Sequence, residues 1–529
     1  MLNRYKFITA FIFFSFIAGL TMVTAQIKYS KEQKKLKKEA DFYFGYGDYV
    51  AAQNIYDSLY KIDSISPELN YKIGFCILIA ADDLQKSSRY FIAASDAGYA
   101  AAYYYLANWY HFQYNFEKAI EYYNKYKLSA IKKNIPENRD VNKCIEISKR
   151  ARDFMNNPID VTIENIGPEI NTHYPEYVPV ISADESMLIF TSRRPGSTGR
   201  KLDLYRKYFE DVYISYKKDS VWKKPVGISP FINTDNHDAC VGLSPDGTRL
   251  IIYRTNEAGT GGDLYWSDLE WDVWTAPVMY EPNINSNYQE PSASITSEGN
   301  KIYFSSNRPG GFGGRDIYRS IRLPNGEWSL AQNLGSEINT PEDDDAPFIH
   351  PDNATLYFSS KGHATMGGYD VFKAALQDDE SWSEAENIGY PINTTGDDIY
   401  FVLSPNGRSG YFSSGRTGGY GDQDIYIARM PYEFKDLTMI TGTVTTKDSL
   451  NKPLGAQIII RNFESNAIEG IYNSNSKTGK YLLIIAPNKK FTMAVEAVDH
   501  EPYFETFQYF NDKSFNNVIK QIGLLKKKE

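Results

Sequence analysis

The sequence predicts a multidomain α+β protein with N-terminal α-helical repeats, a five-bladed β-propeller and a small C-terminal β-sandwich. Three observations predict it. A unit of about 54 residues with only β signals inside recurs five times between Ile170 and Tyr426, a period that marks radial repetition. Residues 26–156 read as helix throughout, and period-two alternation returns in residues 433–529 without the repeat. With 529 residues, the chain is too long for a single core.

The first 25 residues read as an export signal. Arg4 and Lys6 form a charged start, Phe7 to Leu20 an apolar run, and Val23-Thr24-Ala25 precedes a cut at Gln26. No Cys stands at the cut, so no lipid anchor is expected. An uncleaved membrane anchor is the alternative. No later apolar segment is long enough to span a bilayer, so no transmembrane span is expected after signal cleavage. The formal net charge is −9, which argues against a nucleic-acid partner because such binding needs a basic face. Cys76, Cys144 and Cys240 form no disulfide framework. They read as buried free thiols, with a Cys76–Cys144 bridge as the alternative.

In residues 26–156 a small residue and an aromatic recur four apart on one helix face: Ala52 and Tyr56, Ser87 and Phe91, Ala119 and Tyr123. A last helix from about Glu137 to Asn156 would cap the stack. The pattern resembles tetratricopeptide repeats, which implies a concave protein-binding surface. Packing on the propeller as a flank is the alternative. Lys31, Lys34, Lys35, Lys37 and Lys38 read as a solvated helix face.

In residues 157–432 each unit opens with Ile-Asn-Thr or Ile-Asn-Ser, and an acid stands five positions after the Asn: Glu176, Asp238, Glu290, Asp344 and Asp398. A turn follows eight residues later, at Asp184, Asp246, Glu298, Asp352 and Asn406. Next come an aromatic strand, a Gly-rich stretch and a third strand opened by Asp203, Asp263, Asp316, Asp370 or Asp424. The fourth strand starts at Trp222, Trp274, Trp328 or Trp382. The fifth unit lacks it, and Val161 to Gly167 carries only its ending, so this upstream segment is expected to complete the fifth blade and close the ring. The Ser-Pro-Asp-Gly turn, Tyr-Phe-Ser-Ser-Asn-Arg-Pro-Gly-Gly and Asp-Ile-Tyr resemble the WD-like repeats of TolB-type propellers. Arg194, Arg308 and Arg416 hold the motif's Arg position, where units two and four have Asn256 and Gly362.

If the blades are equivalent, the five acids stand at one height and could ring a channel mouth as a cation or peptide site. The plainer reading, which is favoured, is that each accepts hydrogen bonds from backbone or a neighbouring Asn or Arg. No acid stands out from the repeat, no His pair has metal-ligand spacing, and no nucleophile elbow or phosphate loop appears. The chain is therefore expected not to be an enzyme and to need no cofactor or metal.

Strands are expected at Ile440–Thr445, Ala456–Arg461, around Lys480–Ile484, at Phe491–Val498 and at Val518–Leu524. Gly442-Thr443-Val444, Pro453-Leu454-Gly455-Ala456 and Thr478-Gly479-Lys480-Tyr481 resemble the carboxypeptidase regulatory-like domain. The domain order resembles PorE-like, OmpA-family envelope proteins. Those relatives continue into an OmpA-like domain that grips peptidoglycan, whereas this chain stops at Leu525-Lys526-Lys527-Lys528-Glu529. The resemblance implies a non-catalytic periplasmic scaffold, outer-membrane associated, that binds envelope proteins through its helical repeats and propeller face, in type IX secretion or gliding. An outer-membrane protein is among the partners it implies. The alternative is a propeller that binds or hydrolyses a glycan or other small ligand.

Overall fold

The computed structural model describes residues 28–81, 83–133, 140–256, 261–270, 272–431, 437–448, 450–510 and 516–527. The export signal read at residues 1–25 lies outside them.

Seven helices come first among the described residues: α1 (Lys31–Tyr46), α2 (Tyr49–Tyr60), α3 (Pro67–Ala81), α4 (Leu84–Asp96), α5 (Ala100–Phe112), α6 (Phe116–Lys133) and α7 (Val141–Asn156). Their starts follow from capping chemistry. Asp48, Asp83 and Asp140 each accept a backbone N–H of the first turn, and Ser30 with Gln33 forms a capping box. Gly47 ends α1 in the left-handed region at φ 93°, which its missing Cβ permits. The small–aromatic pairs Ala52/Tyr56, Ser87/Phe91 and Ala119/Tyr123 are buried on α2, α4 and α6. Small side chains let adjacent helices approach, and the rings fill the layers between them. None of the helices is long and apolar enough to cross a membrane.

Five antiparallel sheets follow, and the three strands that each unit supplies first pair in chain order. Their innermost strands are Glu176–Ile181, Asp238–Leu243, Ala293–Ile295, Asp344–Ile349 and Asp398–Leu403. Each innermost strand lies beside that of the next sheet, and the fifth lies beside the first, so the sheets surround an axis as in a propeller. The segment upstream of the first unit does close the fifth sheet. Thr162–Asn165 pairs antiparallel with Tyr426–Arg429, in the register Thr162↔Arg429 to Asn165↔Tyr426. Trp222, Trp274, Trp328 and Trp382 are all buried, but the fourth strand they introduce shrinks to two-residue pieces such as Gln332–Asn333.

The recurring Asn of Ile-Asn explains how successive sheets are clasped. Asn171, Asn233, Asn285, Asn339 and Asn393 each accept from and donate to the backbone of one third-strand residue in the preceding sheet: Ile425, Val212, Leu264, Ile317 and Val371. The side-chain amide thus acts as one residue of an added strand.

After Leu437 two sheets pack face to face. One holds Thr438–Thr446 between Lys480–Ile485 and the parallel strands Asn516–Ile519 and Ile522–Leu524. The other runs Ile468–Asn473, Gln457–Asn462, Lys490–Glu496, Tyr503–Gln508. Ile468–Asn473 and Tyr503–Gln508 are strands that the sequence reading did not find. Both lie at sheet edges, where one face and one side are solvated and the apolar pattern weakens.

Candidate functional site

The first and third strands of each sheet run in the same direction, so one end of the ring carries the recurring acids and the Gly-rich hairpins. The helices pack on that end. Phe116, Ala151 and Met366 form a shared cluster, the His111 ring contacts the Met366 carbonyl at 3.0 Å, and Arg150 donates to the Thr365 carbonyl at 3.0 Å. Burial pulls the His111 ring down to about 4. The turns at the opposite end meet the C-terminal sheets through Ala183, Leu437, Met439, Leu482 and Ile484. Between the helices and the hairpins of the fourth and fifth sheets lies a cleft of about 740 Å3, lined among others by Gln85, Tyr104, Asn108, Asp397, Asp422 and Gln423.

The five recurring acids do not face this cleft. Glu176, Asp238, Glu290, Asp344 and Asp398 are each 0 % exposed, and all accept from the Thr or Ser four residues earlier, through its backbone N–H and its hydroxyl. Arg194, Arg308 and Arg416 pair with Glu176, Glu290 and Asp398 at 3.1, 3.1 and 2.8 Å. Each of these guanidinium groups also donates to the carbonyl of the preceding Ile-Asn isoleucine and lies between two rings, Phe304 and Tyr318 in the case of Arg308. This is the plainer of the two readings of these acids: they lock the repeat.

The two units that depart from the Arg pattern solve the problem differently. In the second, Arg254 comes from the end of the second strand and reaches both Asp238, at 2.6 Å, and the Ile232 carbonyl. In the fourth, His363 takes the Ile338 carbonyl at 2.9 Å, but no arginine pairs with Asp344, whose Oδ1 has no hydrogen-bond partner among the described residues. Burial then pushes the Asp344 carboxyl up to about 7, against the hydrogen bonds it accepts. Because the unfolded carboxyl releases its proton near 3.9, this group stabilises the fold at low pH and loses that contribution as pH rises through about 7. Between pH 6.5 and 8 the native protein should lose about 1 kcal/mol of stability from this group. His111 acts in the opposite direction and offsets about 0.4 kcal/mol of this loss, because its unfolded imidazole is still half protonated at pH 6.5. Chemical denaturation at the two pH values checks this, and Asp344→Asn should flatten the slope.

One of the third-strand aspartates needs correction. Asp263, Asp316, Asp370 and Asp424 open their strands as read, but Asp203 does not. Ser192 pairs with Asp211, as Ser306 pairs with Asp316 and Ser414 with Asp424. Asp211 accepts from Thr198 across its hairpin as Asp316 accepts from Phe312. Burial raises Asp211 to about 6. The first hairpin is longer than the others, and Asp203-Leu204-Tyr205 mimics the motif inside the insertion. There Asp203 pairs with Arg193 and accepts from the Tyr205 and Lys207 amides.

The residues flanking two of the buried acids form a second polar cluster between sheets, and the sequence reading missed them. Glu210, just before Asp211, accepts from the Tyr177 hydroxyl at 2.5 Å and pairs with His237 Nδ1 at 2.6 Å. Burial would raise Glu210, but His237, Tyr177 and Arg193 outweigh it and hold the carboxyl below the usual range. Asp345, just after Asp344, accepts from Ser292, from Ser305 and from Arg315, the last at 2.7 Å. Tyr400 completes the group, its hydroxyl raised by burial and by the nearby Asp345. Val178, Ala346 and Tyr400 sit at φ 51°, 51° and 60°, each at a bulge in its innermost strand. A β-branched valine there is strained by about 1–3 kcal/mol. Period two would have found these residues: once the recurring acid is assigned inward, its neighbours must face the other way. Among the described residues no cluster of three metal-ligating side chains occurs, and Cys76, Cys144 and Cys240 are free.

No family model and no curated protein matches the chain. Similar solved structures include a glycosyl hydrolase from Bacteroides ovatus, at 10% identity over 48% of this chain and 84% of that one, with a TM-score of 0.33. The endo-arabinase from Bacteroides thetaiotaomicron matches at 18% identity over 48% and 94%, with a TM-score of 0.33. The catechol 1,2-dioxygenase of Acinetobacter radioresistens matches at 13% identity over 18% of this chain and only 53% of its own, with a TM-score of 0.15. Glycosyl hydrolases stand among the similar structures. The expectation that the chain is not an enzyme is corrected because its premise fails. Its premise was that no acid stands out from the repeat. Glu210 and Asp345 do: Gly262, Arg315, Tyr369 and Gln423 stand where Glu210 does, and Tyr177, Ala239, Pro291 and Ile399 where Asp345 does.

Proposed function

We propose that the chain is a five-bladed propeller protein of the cell envelope that binds a glycan in the cleft beneath its helical repeats. The observation that carries this reading is the cleft of about 740 Å3, with the polar side chains of Gln85, Asn108, Asp397, Asp422 and Gln423 and the Tyr104 ring in its lining. Amide and carboxylate side chains exchange hydrogen bonds with neutral sugar hydroxyls, and a tyrosine ring offers a face to pack on a sugar. Titration with neutral arabino-, xylo- and gluco-oligosaccharides tests the reading, with release of reducing ends measured on the same samples. Binding lost in Asp397→Asn, at the cleft wall, is the expected result, and release lost with it would make the site hydrolytic. An absence of binding across the panel would refute the reading.

A second reading, a scaffold for envelope proteins in the manner of PorE-like proteins, is favoured by one surface. On the outer face of the C-terminal sheet, Ile471, Ile459, Ala494 and Phe504 form one cross-strand row, and Phe504 is 69 % exposed. An apolar row of this kind suits a protein partner. Crosslinked envelopes should yield a stable partner with the native chain and not with Phe504→Ser.

A further inference from the structure

We propose that the groove between the outer rims of the first and second sheets is an interface with a second copy of this chain. The repeat supplies its own comparison, because equivalent rim positions can be read in every sheet.

Three residues after its opening Asp, each third strand faces one residue of the fourth strand. In the third sheet the pair is Arg319 and Gln332, hydrogen-bonded at 2.9 Å, and in the fourth it is Lys373 and Glu386, paired at 3.3 Å. In the fifth, Glu164 takes the outer place and Arg429 holds it at 2.9 Å. The first and second sheets have Ile214 with Val226 and Trp266 with Val278 instead. At the next rim position Asn333, Asn387 and Asn165 each donate to the opening Asp of their sheet, whereas the first two sheets carry Gly227 and Met279. The residue before the rim tryptophan is Glu327 or Ser381 in the third and fourth sheets, but Val221 or Val273 in the first and second. Rim positions that are polar in three sheets are apolar in two adjacent ones.

These changes gather at one seam. Ile214 belongs to the core between the first and second sheets, so Val226 opposite it and Tyr216 two residues on turn toward the second sheet. Met279 lies opposite Tyr265, which packs on the same core, and it turns toward the first sheet. Burial and the Asp272 carboxylate of the second sheet raise the Tyr216 hydroxyl, as befits rims that face each other. Tyr216, Val226 and Met279 are 51, 60 and 49 % exposed. Scattered apolar side chains need no partner, but a contiguous groove of them marks a contact surface.

Charge identifies the occupant. The rim of the first sheet carries Lys218, Lys223 and Lys224, and that of the second carries Glu270, Asp272 and Glu281. None of the six makes an ion pair among the described residues, whereas Asp268 beside them is held by Arg249. An apolar groove with a basic wall on one side and an acidic wall on the other is complementary to itself. Turned about a two-fold axis, each basic wall meets the acidic wall of the other copy, and the apolar side chains of the two grooves cover one another. A partner of one sign would meet like charge on one wall.

Sedimentation equilibrium of the full chain tests this. The native chain should dimerise. Val226→Gln combined with Met279→Asn gives the seam the polar residues that the third sheet carries at Gln332 and Asn333, and it should weaken the dimer about tenfold or more while circular dichroism stays native. Lys223→Glu with Lys224→Glu should abolish self-association, as should Asp272→Lys with Glu281→Lys. An equimolar mixture of these two charge variants should dimerise again, because each then meets walls of opposite sign. A native chain that is monomeric at every soluble concentration, a dimer untouched by the Val226 and Met279 replacements, or charge variants that fail to pair would each overturn the proposal. A native monomer that captures an envelope protein through these residues would give the groove a different occupant and overturn it equally.

Discussion

Arg308→Ala should destabilise the propeller by about 3–5 kcal/mol at pH 8. The guanidinium holds together three groups that water cannot reach in its place: Glu290, 0 % exposed, at 3.1 Å, the Ile284 carbonyl at 2.6 Å and Ser306 Oγ at 2.9 Å. Truncation leaves Glu290 as a buried charge without a counter-ion, and it removes the packing of the guanidinium between Phe304 and Tyr318. The fourth sheet shows what the protein does without this arginine, because Asp344 takes up a proton near pH 7 instead. Arg308→Ala should therefore turn Glu290 into a second such group, and the loss should be clearly smaller at pH 5 than at pH 8. Arg308→Lys should restore only part of it, since an ammonium on a flexible stem cannot serve three acceptors in one plane. Unfolding followed through the fluorescence of the buried Trp222, Trp274, Trp328 and Trp382 reports the effect. An equal loss at both pH values would show that packing and not the ion pair is what the arginine supplies.

Asn171→Ala should cost about 2–5 kcal/mol and open the seam of the ring. Its side chain donates to the Ile425 carbonyl, accepts from the Ile425 N–H and reaches Asn165 Oδ1, all at 2.9 Å. Asn165 in turn donates to Asp424 and belongs to the strand that closes the fifth sheet. Asn339, which opens the fourth unit, makes the same bonds to Ile317 and Asn333 of the third. Asn339→Ala should lose similar stability without loosening the seam, because Ile317 and Asn339 are 22 residues apart, whereas Asn171 and Ile425 are 254 apart. The comparison is read by hydrogen exchange at residues 162–165. Faster exchange there in Asn171→Ala, and not in Asn339→Ala, is the expected result. Unchanged protection in both variants would mean that the closing strand holds by its backbone ladder alone.

The repeat itself was legible because its determinants are local. An Asn and an acid five residues apart, a turn eight residues on and a strand-opening Asp are set by strand geometry within one sheet, and they recur with their spacing wherever that geometry recurs. The helical pairs Ala52/Tyr56, Ser87/Phe91 and Ala119/Tyr123 were legible for the same reason, since one helix face is fixed by the 3.6-residue period. The motif misled at Asp203, where an inserted Asp-Leu-Tyr carries the local signature without the pairing that gives it meaning. Only the partner strand distinguishes it from Asp211.

The sequence alone determined the order and class of the segments, the recurrence of the unit, the upstream strand that completes its last copy and the burial of the motif residues. Tertiary structure alone decided where the chemistry gathers. Glu210 and His237 come from different sheets, and Arg315 reaches Asp345 from the sheet before it. The helices, more than 200 residues away in the chain, roof the hairpins of the fourth and fifth sheets. Strand periodicity fixes which way a side chain points relative to its own sheet. Only the closing of five sheets around an axis, with helices packed over one end, brings side chains from distant units within hydrogen-bond distance of one another.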